Sequence, residues 1–168
     1  MFFPHRIMSR VLALSLSLLF SLFFLAACIE DDPFEMDDVA ALTVSITAAP
    51  TELFESEWTM LTLTLMLSEV PPAGGVNVTI ESDTPNALRE LDVLAAVYTG
   101  ARLVAGNADR SGFTLSVFEL TATVTLPVFD DGVPEGPETL TFGLVPSEAY
   151  AIDPEAHSIS ITIFDTAP

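Results

Sequence analysis

Lysine is absent from this chain of 168 residues, and five arginines stand against 24 aspartates and glutamates, giving a formal charge of −19. That balance excludes nucleic acid as a partner, because phosphate binding draws on clustered Lys and Arg to displace counterions. Divalent cations are the small partners such a surface favours. Cysteine occurs once, at Cys28, so no disulfide forms within the chain. Histidine is almost as scarce: beyond residue 27 only His157 remains, which leaves a zinc site or a Ser-His-Asp triad almost no material. Paired carboxylates could serve a glycosidase, but no aromatic cluster is present to line a sugar groove. The chain therefore reads as a non-enzyme.

What is present is unevenly distributed. Half of the residues are hydrophobic and the mean hydropathy is +0.52, with much of the excess in the first 27 residues. Arg6 and Arg10 precede the uncharged run VLALSLSLLFSLFFLAA at residues 11–27, the arrangement of a secretory signal. The run ends in Leu25-Ala26-Ala27-Cys28, which resembles the lipobox of bacterial lipoproteins. The resemblance implies cleavage before Cys28 and lipidation of its thiol. A plain secretory signal and an uncleaved membrane anchor stand as alternatives, although 17 apolar residues is the short limit for spanning a bilayer. The sole cysteine occupies the position a lipobox requires, which favours the lipid anchor. In the sorting rule of enteric lipoproteins an Asp directly after the Cys retains the protein in the inner membrane. Ile29 follows here, so the resemblance implies a bacterial cell-envelope location, at the outer membrane or cell surface. Residues 29–40, IEDDPFEMDDVA, are acidic and aperiodic, which makes 28–41 a solvated tether and 42–168 the folded domain.

From Leu42 onward the chain is a succession of short alternating runs. Val44 and Ile46 open the series, followed by Leu61, Leu63, Leu65 and Leu67, then Val76, Val78 and Ile80. Phe113, Leu115 and Val117 form the fourth run, and the fifth extends from Leu120 to Val128. Leu140, Phe142 and Leu144, then Ile159, Ile161 and Ile163, complete seven. Each has period 2, with one apolar face and one face mainly of Thr or Ser. Seven half-buried strands punctuated by Pro and Gly predict an all-β fold, a seven-stranded antiparallel immunoglobulin-like sandwich. Their inward faces supply about 20 large side chains at roughly 1.5 to 3 kcal/mol each when buried, enough for a core without a disulfide. Trp58, Met60 and Met66 fall off the leucine face and read as edge packing. Residues 83–111 join the third and fourth runs by an unusually long connection, in which 91–98 fits a short helix or an extra strand equally well.

The most acidic connection lies between the fifth and sixth runs: Phe129-Asp130-Asp131-Gly132-Val133-Pro134-Glu135-Gly136-Pro137-Glu138. Its two Pro and two Gly mark a turn, and its carboxylates suit a hard cation such as Ca²⁺, which takes roughly 6 to 8 oxygen ligands. A solvated acidic turn is the plainer reading of the same residues. Strand parity bears on the choice. If seven strands alternate in direction, the first-to-second, third-to-fourth and fifth-to-sixth connections and the end of the seventh strand share one pole. Glu52, Glu55, Glu57, Asp83, Glu90, Asp92, the quartet above and Asp165 all fall there.

Phe113-Thr114-Leu115, Val128-Phe129-Asp130-Asp131, Glu135-Gly136-Pro137-Glu138-Thr139-Leu140-Thr141-Phe142 and Ile161-Thr162-Ile163-Phe164-Asp165 together resemble the Calx-beta domain, a family found in sodium/calcium exchangers and many bacterial surface proteins. The resemblance covers roughly residues 42–165. It implies a sandwich binding Ca²⁺ at one pole through Asp130, Asp131, the Val133 carbonyl, Glu135 and Glu138. Glu55 corresponds to the acid before the second strand, Asp165 to the acid closing the last, and Asp92 to a further Asp ligand. The family's Gly-Thr-Ala and Gly-x-Asp-Tyr segment is missing, and the last strand ends in one Asp rather than a run, so fewer ions and weaker binding are expected.

Overall fold

The computed structural model describes residues 42–134 and 136–166. The leader, Cys28 and the acidic tether therefore lie outside the described residues, as does Glu135. Eleven strands form two sheets. In chain order they are β1 (Thr43–Ala49), β2 (Glu52–Phe54), β3 (Met60–Leu67), β4 (Val76–Ser82), β5 (Val97–Thr99), β6 (Ala101–Gly106), β7 (Gly112–Val117), β8 (Thr121–Pro127), β9 (Glu138–Leu144), β10 (Ala151–Ile152) and β11 (Ser158–Phe164). One sheet runs β10-β1-β3-β8-β5 and the other β2-β11-β9-β4-β7-β6. This is an all-β two-sheet sandwich in which each of the seven alternating runs forms a strand.

Period-2 patterning explains how the layers meet. Leu61, Leu63 and Leu65 of β3 stand opposite Leu126, Val124 and Ala122 of β8, all at most 2% exposed. Across the gap, Val78 and Ile80 of β4 pair with Leu115 and Phe113 of β7. Threonine and serine occupy the alternate, outward positions and bond to one another across strands: Thr79 to Thr114 at 2.9 Å, Thr62 to Thr125 at 3.3 Å and Thr141 to Ser160 at 2.9 Å. Cross-strand hydroxyl pairs of this kind contribute a few tenths of a kcal/mol each. The buried hydrophobics form one cluster between the sheets, so residues 42–166 carry their own core.

Four short strands add to the seven. β2 and β10 join the edges in parallel, with Glu52 opposite Thr162 and Thr43 opposite Ala151. After Ala49 the chain leaves the first sheet at Pro50, which has no N–H for the ladder, and continues as β2 in the second. β5 and β6 come from the long connection of residues 83–111; of the stretch 91–98, Leu91 forms an isolated bridge, residues 92–96 form a turn, and strand begins only at Val97. The segment 87–90 forms a 3-10 turn, its Ala87 and Leu88 buried, and residues 97–106 then cross from one sheet to the other. Gly100 is the crossing point, with φ +67 and no room for a side chain, since a Cβ there would lie 2.6 Å from the Thr121 carbonyl oxygen.

Candidate metal centre

Four segments meet at the pole where β3 begins and β8 and β11 end. Phe54 aligns with Phe164 across β2 and β11, and their rings stack at 5.4 Å. The chain then makes a 3-10 turn at Glu55–Glu57. That turn is tied on both sides: the Ser56 N–H donates to the Asp165 carbonyl at 3.0 Å, and the Val128 N–H to the Thr59 carbonyl at 3.0 Å. Thr59 also accepts from the Phe54 N–H at 3.1 Å and donates to the Phe54 carbonyl at 3.2 Å. Next to it, Leu91 bridges Val128, with the Phe129 N–H on the Glu90 carbonyl at 2.9 Å and the Asp92 N–H on the Pro127 carbonyl at 2.8 Å. The backbone thus fastens the segments around residues 55, 90, 130 and 165 together.

Their side chains respond to that proximity. Glu55 is 7% exposed, and its pKa is pushed up to about 7, first by loss of hydration and then by the negative charges of Asp165, Glu90, Asp130 and Asp131. Five carboxylates from four separate segments therefore share one electrostatic neighbourhood. Four of them, Glu55, Asp130, Asp131 and Asp165, are among the expected ligands. Glu90 is the addition. Parity places it at this pole, but its burial, 6% exposed, follows from the 3-10 turn that carries it, a feature without a sequence signature of its own. Arg89 pairs with Glu90, Nε to Oε1, at 2.7 Å, so one acid of the group is already partly compensated.

The remaining expected ligands are placed differently. Asp92 turns to its own backbone, Oδ1 accepting from the N–H groups of Leu94 at 3.0 Å and Ala95 at 3.1 Å. This is a local bond typical of Asx turns, and Asp92 is not among the charges acting on Glu55. Glu138 opens β9 opposite Ile163 and is not among the charges acting on Glu55. Val133 is exposed, and its N–H donates to Asp131 Oδ1 at 2.9 Å, just as the Gly132 N–H donates to Asp130 Oδ1 at 2.8 Å. These two successive turns hold Asp130 and Asp131 while leaving each a second carboxylate oxygen.

Among the described residues, no three His, Cys, Asp or Glu side chains stand close enough to hold a metal ion as they are. The donor set nevertheless has the right chemistry: it is all oxygen and strongly anionic, as Ca²⁺ requires. Close pairs among such charges repel by about 1 to 4 kcal/mol depending on the local dielectric. Ligation would therefore have to draw the acids inward against that repulsion, with the cation supplying the compensating charge.

Neither a protein-family model nor a curated protein matches the sequence. Among solved structures the fold is similar to the apo form of the Calx CBD1 domain, at 15% sequence identity and a TM-score of 0.44, over 76% of this chain and 99% of that one. The likeness is one of fold alone.

Proposed function

We propose that this chain is a lipid-anchored, cell-envelope module that binds Ca²⁺ at the acidic pole of its sandwich and is stiffened by it, with no catalytic role. The observation that carries this reading is the raised pKa of Glu55 in the company of Asp165, Glu90, Asp130 and Asp131. A carboxylate whose proton is held first by lost hydration and then by the charges of four neighbouring acids is a position where a divalent cation can take the proton's place. Asp130, Asp131, Asp165 and Glu55 are the proposed ligands, with Glu135, Glu138 and the Val133 carbonyl as further donors from the same loop. Lipidation at Cys28 would hold the domain at the membrane through the tether of residues 28–41.

Extracellular calcium modules bind at about 10⁻⁴ to 10⁻³ M, and a tenfold excess over such a Kd adds about 1.4 kcal/mol of stability by mass action. Thermal melts of residues 40–168 in millimolar Ca²⁺, in Mg²⁺ and in EGTA test the reading. Trp58, the only tryptophan, is exposed three residues from Glu55, so its fluorescence should titrate with Ca²⁺. An unchanged midpoint together with unchanged fluorescence would reject the cation site. A metal-free structural or adhesive sandwich is the second reading, favoured by the separation of the carboxylates as they stand. It expects Asp130→Ala to leave stability unaltered or raised in Ca²⁺ and in EGTA alike.

A further inference from the structure

Asp131-Gly132 is the one place in the chain where an Asp or Asn precedes a Gly. Such a pair has a chemistry of its own: the backbone nitrogen after an Asp can attack that residue's side-chain carboxyl carbon, and a following glycine puts no side chain in the way. Nothing around this pair obstructs the attack. Residues 129–134 are exposed and lie outside helices and strands, Gly132 has φ +71, and a Cβ built on it would meet nothing within 4 Å. Among the described residues, the last backbone hydrogen bond before β9 is that of the Phe129 N–H on the Glu90 carbonyl at 2.9 Å, so the loop beyond it is free to rearrange.

Two side chains place the reacting groups. The Gly132 N–H donates to Asp130 Oδ1 at 2.8 Å, so the nitrogen that must give up its proton already holds it against a carboxylate. The Val133 N–H donates to Asp131 Oδ1 at 2.9 Å, which closes a small ring containing both the Asp131 Cγ and the Gly132 nitrogen. We propose that Asp131 is a site of spontaneous covalent modification, isomerising to isoaspartate with Asp130 as the base. The Gly132 nitrogen passes its proton to Asp130 and forms a bond to the Asp131 Cγ. A Cγ–O bond breaks, and the oxygen leaves as water, taking the proton from Asp130 and one from solvent. Water then adds to the other carbonyl of the resulting cyclic imide, the former backbone carbonyl of Asp131; its bond to nitrogen breaks and a proton returns to solvent. The chain now runs through Cβ and Cγ of residue 131, and the former backbone carbonyl is a free carboxylate. Addition of water at Cγ instead restores Asp131.

The change reaches the acidic pole. Isomerisation adds a methylene to the backbone between residues 131 and 132 and draws the carboxylate of residue 131 one carbon nearer to the chain, so its oxygens no longer stand where those of Asp131 did. A cation site that uses Asp131 is lost with time. Ligation works against the reaction in turn, because an Asp130 held on Ca²⁺ no longer takes the Gly132 proton and the loop is fixed around the ion. This linkage rests on the cation reading above; the isomerisation itself does not.

Peptide mapping tests the proposal. Residues 40–168 are kept warm in EGTA for weeks, digested, and fragmented by electron transfer, which separates isoaspartate from aspartate although their masses are equal. Isoaspartate is expected at residue 131 ahead of every other Asp. Asp130→Asn keeps an acceptor for the Gly132 N–H but removes the base, and should slow formation about tenfold or more, below the usual scale of general-base catalysis because solvent hydroxide competes. Its melting curve checks that the sandwich is intact, and the same substitution in a free peptide of residues 127–137 gives the effect without the fold. Incubation in Ca²⁺ should slow formation in the wild type. Calorimetry should find less calcium heat in the aged wild type than in the fresh protein, whereas Asp131→Glu, whose longer side chain closes the ring poorly, should show no decline on ageing.

Residue 131 remaining aspartate in the domain after the free peptide has isomerised overturns the proposal, because the fold then shields the pair. Equal rates in the wild type and in Asp130→Asn overturn it too, by removing the base. Isoaspartate in a domain whose fresh form gives no calcium heat sustains the modification and removes the cation site; calcium heat in a domain that never isomerises does the reverse.

Discussion

Glu55 carries the sharpest consequences at the scale of single residues. Its folded pKa of about 7 against an ordinary 4.5 means that the folded state favours the protonated form. The stabilisation is fully present below about pH 4.5 and is lost as pH rises through 7, on the order of 3 kcal/mol in all. Asp109 acts in the opposite sense, its pKa lowered chiefly by the Ser111 hydroxyl and N–H, so its contribution is lost only in acid, below the window that Glu55 governs. The cation-free domain should accordingly melt higher at pH 5.5 than at pH 8, a trend that circular dichroism melts in EGTA would read directly. Glu55→Gln keeps the shape and removes the charge. It should raise the EGTA midpoint at pH 8, flatten the pH trend and diminish any Ca²⁺-dependent shift. The acidity of Glu55 was legible in the sequence, but its burial was not, because burial depends on the residues around 90, 128 and 165 closing over it.

Among the elements, the seven long strands were readable because each carries its own period-2 signal, and Thr and Ser on the outer faces leave no ambiguity about which side is inward. The four short strands carry no such signal. β5 and β6 exist because their partners β8 and β7 offer free edges, and Leu103 and Val104 remain about half exposed there. A register shift between Leu103 and Ala105 bulges this outermost strand, which discourages further edge pairing. The crossing between these strands makes a specific demand at Gly100. Gly100→Ala should destabilise the domain by about 1 to 3 kcal/mol, through its positive φ and its contact with the Thr121 carbonyl, measurable by urea denaturation. Leu63→Ala, on the buried face of β3, should cost about 2 to 5 kcal/mol by opening a cavity between the sheets.

For the whole molecule the dominant fact is a charge of −19 without lysine. Self-repulsion on that scale destabilises the compact state and is screened by salt over a Debye length of about 10 Å at 0.1 M. Raising NaCl from about 0.02 to 0.5 M should therefore raise the melting midpoint in EGTA, and the gain should be smaller once Ca²⁺ is present. A potassium chloride series with the same slope would distinguish screening from specific ion binding. The anchor is tested at this scale as well. Cys28→Ser should move the protein from the membrane fraction to the soluble one, and mass spectrometry of the wild type should find Cys28 acylated at its amino terminus.

Composition and alternation alone determined that the domain of residues 42–168 would form a two-sheet β-sandwich, because period-2 patterning needs no knowledge of distant contacts. Strand parity went one step further and gathered the acids at one pole. Which of them act on Glu55 was decided only by the tertiary structure: Asp92 accepts from its own backbone in a local turn, while Glu90, one of several acids that parity put at this pole, is buried and acts on Glu55. Local hydrogen bonds and long-range closure compete for the same side chains, and only the folded chain settles that competition.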